Sequence, residues 1–79
     1  MELSELISHI ADSLDVDESV VTMESSSETI EEWDSLGHIT ILGTLDDLTD
    51  GASADLVDLT QATSVEELAK VLKENGILK

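Results

Sequence analysis

Asp34, Ser35 and His38 are the residues of this 79-residue chain whose types and spacing could do chemistry. A serine beside a carboxylate, with an imidazole one turn on, carries the groups of a nucleophile, a base and an orienting acid. Placed together on one helix surface, they have no oxyanion hole, no substrate pocket and no third group buried behind the histidine. A hydrolytic triad is therefore not expected. The remaining chemistry is that of a serine hydroxyl at the start of a helix, exposed and held on a rigid element. Asp34 or Ser35 can cap that helix, because either side-chain oxygen can accept from the free N–H groups of the first turn. An anionic group attached to the hydroxyl would face those N–H groups and the positive end of the helix dipole.

The elements that position this serine follow from apolar spacing. Leu3, Leu6, Ile7, Ile10 and Leu14 recur at threes and fours and predict a first helix over about Glu2–Leu14. Asp15 to Asp34 has no sustained period, holds Ser25-Ser26-Ser27 at its middle, and reads as a long loop pinned by Val16, Val20, Val21, Met23 and Ile30. A loop of about 20 residues in a small domain usually signals function. Ser35 to about Thr49 reads as a helix whose inner stripe is Leu36, Ile39, Leu42, Leu45 and Leu48, with Ile41 beside it and a stop at Thr49-Asp50-Gly51. Ala54–Leu59 predicts a short helix of one or two turns, with Ser53 as cap. Ser64 and Glu67 fit a capping box. The last helix begins there, turns Val65, Leu68, Ala69, Val71 and Leu72 inward, and ends at Asn75-Gly76. The expected fold is all-α: a small four-helix bundle of three longer helices and one short one, with a long first loop, in a single domain over residues 1–79.

Composition narrows the function class. Nineteen acidic residues face three lysines (Lys70, Lys73 and Lys79), for a net charge of -16. That field repels phosphate backbones and anionic bilayers, so neither nucleic acid nor membrane is an expected partner. It attracts and steers basic protein surfaces. Cysteine is absent, which excludes a disulfide framework and a cysteine-based metal site. Asp12, Asp15, Asp17 and Glu18 lack the glycine and the final glutamate of an EF-hand loop, which excludes an EF-hand and leaves only weak, nonspecific divalent binding that relieves self-repulsion as an expectation. No apolar run approaches the about 18 residues of a membrane span. No basic-then-apolar leader is visible either, and the chain reads as cytoplasmic and monomeric.

The run Trp33-Asp34-Ser35-Leu36-Gly37-His38-Ile39, placed after a long acidic loop and opening an apolar helix, resembles the attachment motif of the free-standing bacterial acyl carrier proteins. Leu59-Thr60-Gln61-Ala62-Thr63-Ser64-Val65-Glu66-Glu67-Leu68 is similar to that family's entry into its final helix, so the resemblance covers nearly the whole chain. It implies that Ser35 is esterified to 4'-phosphopantetheine drawn from coenzyme A, and that the arm's thiol carries acyl groups as thioesters. It implies a role for Asp34 in the modification step and for Leu36 beside the arm. Leu36, Ile39, Thr40, Asp46 and Asp47 would form a partner surface. The implied partners are a phosphopantetheinyl transferase, acyl-loading enzymes, and condensing or acyl-transfer enzymes with basic patches. The chain itself would not be an enzyme.

Thr40, Gly43 and the Pro-free stretch from Thr49 to Asp55 depart from the pattern of fatty-acid carriers. They point to a specialised fatty-acid or polyketide pathway and, through Gly43 and Ala52, to room near the arm. A peptidyl or aminoacyl carrier is a neighbouring alternative, against which the absence of glycines before Asp34 argues. An acidic helical adaptor without modification is the alternative from another class.

Overall fold

Leu6, Ile10, Ala11 and Leu14 on one helix, Ile41 and Leu45 on a second, and Val65, Leu68, Ala69 and Leu72 on a third meet in one aliphatic core. The computed structural model describes the backbone of residues 1–79 and every side chain except those of Ala54 and Asp55. Three α-helices carry the fold: α1 (Leu3–Leu14), α2 (Ser35–Leu48) and α3 (Val65–Glu74). Short 3-10 turns lie at Glu18–Val20, Ala52–Asp55 and Val57–Gln61. The described residues form no strand; an isolated antiparallel bridge joins Ser26 to Ser64. The chain is all-α, as its aliphatic periodicity predicts.

The α-helices number three, not four. Over the expected short helix, the backbone runs as two 3-10 turns broken at Leu56 (φ -92, ψ 87). The reason is the spacing of the inward residues. Ser53 and Leu59 are buried and Leu56 half-buried, with buried Ala62 next in the series. A spacing of three keeps side chains on one side only in a 3-10 turn, which has about three residues per turn. Leu56 N–H donates to the Ser53 carbonyl at 3.0 Å and Leu59 N–H to the Leu56 carbonyl at 3.0 Å. Ser53 is thus an inward anchor rather than a cap; Gly51, in the left-handed region at φ 86, precedes the first turn.

The caps follow the sequence more closely. Ser64 Oγ accepts from Glu67 N–H at 3.1 Å and fixes the start of α3. Asp15 ends α1 in the left-handed region at φ 56, its N–H returning to the Ala11 and Asp12 carbonyls. The long first loop is pinned by more than its apolar anchors. Buried Ser25 donates to the Val20 carbonyl and accepts from Thr22 N–H. Ser27 N–H donates to the Thr63 carbonyl at 2.8 Å, and Val65 N–H to the Ser25 carbonyl at 3.0 Å, which fastens the loop to the root of α3. Asp17 Oδ1 accepts from Ser19 N–H and Oγ–H, and these bonds hold the exposed Asp17 carboxyl below the usual carboxylate range.

Candidate functional site

The site is built on the first turn of α2. Asp34 caps the helix, its Oδ1 accepting from Gly37 N–H at 2.8 Å. Ser35 is the first helical residue and is exposed. Because Asp34 does the capping, the Ser35 hydroxyl is not consumed by the backbone. The N–H groups of Ser35 and Leu36 precede any intrahelical acceptor, as in every helix start. A shallow hollow of about 360 Å³ in front of the serine is lined by Ser27, Trp33, Asp34, Ser35, His38, Thr60 and Thr63.

Gly37 makes this turn possible. A Cβ there would stand 2.3 Å from the Glu32 carbonyl oxygen and 2.8 Å from Leu14 Cδ2. The segment before Asp34 is therefore pressed directly onto the α2 backbone. Sequence reasoning assigned Gly37 no role. The available signal was a glycine in the first turn of an otherwise apolar helix, which often marks close backbone approach.

Behind the serine lies a closed polar relay. Trp33, 1% exposed, donates through Nε1 to His38 Nδ1 at 3.0 Å. The other ring nitrogen, His38 Nε2, lies 3.0 Å from the Leu59 carbonyl, which fixes it as the donor and the ring as the neutral Nε2–H tautomer. The two rings stack at 6.2 Å. Both imidazole nitrogens are engaged, so His38 has none left to activate Ser35. The relay ties the start of α2 to the Val57–Gln61 turn.

The face assignment along α2 differs from the sequence expectation. His38, Ile41 and Leu45 are its buried residues. Leu36 is 73% and Ile39 63% exposed, Leu48 is also exposed and Leu42 half-buried. The expected inner stripe at a spacing of three is not a stripe. At about 100° per residue, steps of three lose roughly 60° each time and wind around the helix. Of that series Leu45 alone is fully buried, and Leu42 packs half-buried against the core.

Two outward strips result from this geometry. Ser35, Ile39, Leu42 and Asp46 follow one another at i, i+4, i+7 and i+11 and share a face. Leu36, Thr40, Gly43 and Asp47 repeat the same spacing on the next face. The two strips thus bring together all seven residues named for attachment and partner binding except Asp34, which caps the helix. Thr40 is exposed and its hydroxyl donates to the Leu36 carbonyl at 3.0 Å. Asp47 is exposed, whereas Asp46 is half-buried with Oδ1 closed off and without a hydrogen-bond partner. The Asp46/Asp47 pair is therefore not one uniform acidic surface. A Cβ at Gly43 would meet nothing within 4 Å, and the glycine lines a hollow with Ile39, Leu42 and Asp46. Among the described residues, no group of three or more His, Asp or Glu side chains could hold a metal ion. No protein-family model matches the chain, and neither a curated protein nor a solved structure matches it.

Proposed function

We propose that the chain is an acyl carrier whose Ser35 bears a 4'-phosphopantetheine arm. The observation that carries this reading is an exposed serine hydroxyl at the first position of α2, left free because Asp34 takes over the capping. The resemblance of residues 33–39 and 59–68 to acyl carrier proteins supports it. The carrier-like arrangement belongs to the same proposal, with the paired 3-10 turns standing where such a fold has its short helix.

The residues around Ser35 suit a phosphodiester. The N–H groups of Ser35 and Leu36 and the positive end of the α2 dipole favour an anion on the serine oxygen. Asp34 opposes that anion slightly; the resemblance to acyl carrier proteins implies its role in recognition during modification. Bound there, the arm supplies the thiol that a chain without cysteine lacks. In the transfer, Ser35 contributes the oxygen and gives up its proton, and adenosine bisphosphate leaves from coenzyme A.

Exposed Leu36 and Ile39 offer apolar contact beside the arm, and a net charge of -16 steers basic enzyme surfaces towards it. The partners in this reading are the phosphopantetheinyl transferase and the enzymes that load, condense or transfer the acyl group. The chain acts as a cytoplasmic monomer and catalyses nothing. Among the described residues, no helix is long and apolar enough to cross a membrane.

The test is an intact mass after incubation with coenzyme A and a broad-specificity phosphopantetheinyl transferase. One added phosphopantetheinyl unit on the wild type, and none on Ser35→Ala, supports the carrier. No gain by folded wild-type protein contradicts it and favours the acidic adaptor.

A further inference from the structure

Lys70, Lys73 and Lys79, the three lysines of a chain without arginine, all line one hollow of about 360 Å³. It shares no lining residue with the hollow in front of Ser35. Leu3 at the start of α1, Met23 from the long loop, Ala69 on α3 and Leu78 beyond α3 give it apolar walls. Glu66, Ala69, Lys70 and Lys73 follow one another at i, i+3, i+4 and i+7, so a single face of α3 supplies both apolar and cationic lining.

The charge on these walls is opposite in sign to that of the molecule. Three ammonium groups stand against one carboxylate, Glu66, in a chain of net charge -16. Lys70 and Lys73 are exposed and form no ion pair among the described residues. Lys79 lies 3.3 Å from Glu2, an exposed pair that costs little to open. A lysine lays its methylenes along apolar surface and keeps its ammonium in water. The stems therefore extend the apolar walls, and the heads form a positive rim. Exposed charges more than about 8 Å away are largely screened at physiological ionic strength, so a group bound in the hollow answers to the rim rather than to the net charge.

From this we infer that the hollow is a non-covalent site for a small amphiphilic carboxylate, a short straight-chain fatty acid. Its tail lies along Leu3, Met23, Ala69 and Leu78, and its carboxylate meets Lys70 and Lys73. The volume is near the lower end of the range of about 300–1,000 Å³ for small-molecule sites, which favours a single short chain over a folded segment of another protein. The inference uses no residue of the Ser35 site and does not rest on the carrier reading.

Unmodified protein is titrated in turn with octanoate, n-octanol and n-octylammonium, below the concentrations at which they aggregate, while backbone amide shifts are followed. Saturable shifts are expected at Leu3, Met23, Ala69 and Leu78, with octanoate favoured over octanol roughly fivefold and octylammonium weakest. The Lys70→Gln, Lys73→Gln double variant, altered only at exposed positions, should lose the preference for octanoate and keep the response to octanol. Equal response to octanoate and octanol, shifts elsewhere only, or a preference that survives the double variant would overturn the inference. So would shifts at the same residues on raising the protein concentration alone, which would make a second copy of the chain the occupant. Ser35→Ala should bind octanoate as the wild type does, and a loss of binding there would contradict the independence of the two sites.

Discussion

Two segments of this chain place apolar residues at a spacing of three, and they do opposite things with them. Along α2, the series Leu36, Ile39, Leu42, Leu45 and Leu48 winds around the helix, so that Leu45 is buried while Leu36, Ile39 and Leu48 face solvent. From Leu56 to Ala62, the same spacing stays on one side, because the backbone of Val57–Gln61 is a 3-10 turn with a matching period. In the α-helix the period liberates aliphatic side chains for contacts with other molecules. In the turns it consumes them in the core. His38 joins the two segments through the Leu59 carbonyl, so the turns help hold the start of α2.

The sharpest way to break this contrast is truncation. Leu45→Ala and Leu59→Ala, both at fully buried positions, should each cost about 2–5 kcal/mol in denaturant unfolding. Leu36→Ala and Val57→Ala, at positions more than two-thirds exposed, should stay within about 0.5 kcal/mol of wild type. A large loss at Leu36 would return it to the core and void the strip assignment.

The two glycines of α2 sharpen it further. Gly37→Ala should destabilise by about 1–3 kcal/mol despite its better helix propensity, because the Glu32 carbonyl is backbone and cannot turn aside. Gly43→Ala should stabilise by about 0.5–1 kcal/mol, since its Cβ meets open space. Thermal melts of the two variants should therefore move in opposite directions.

The relay is tested at His38. His38→Leu leaves the Trp33 indole N–H buried without a partner and takes one of two donors from the Leu59 carbonyl, which keeps Ala62 N–H, and should cost about 1–3 kcal/mol. Trp33 is the sole tryptophan, so its emission reports the change directly.

The smallest effect concerns acid. Asp17 titrates below its unfolded value because of its bonds to Ser19, so its contribution is present above the ordinary carboxylate range and fades as pH falls through the folded value. Asp17→Asn should slightly flatten the loss of stability in that acid window, read by melts at stepped pH.

The regular parts of the fold were legible because their signals are local. Ser64 and Glu67 announce the start of α3, and its inward residues at threes and fours match the helical period. Asp34 as cap and Ser35 as first residue of α2 were readable in the same way. The inner face of α2 was not, since aliphatic residues lie almost all around it and the buried histidine does not register as core. The 3-10 turns and the seat of Gly37 were also hidden. Both involve contacts between segments far apart in sequence: Leu59 with His38, and Leu14 with Gly37.

The central claim is that the free hydroxyl of Ser35 is an attachment point. Tandem mass spectrometry of transferase-treated protein, cut after glutamates to release the peptide beginning at Trp33, tests it most directly. The account predicts the phosphopantetheinyl group on Ser35 alone. A group on any other serine of that peptide, or an unmodified peptide from folded protein and active transferase, would contradict it.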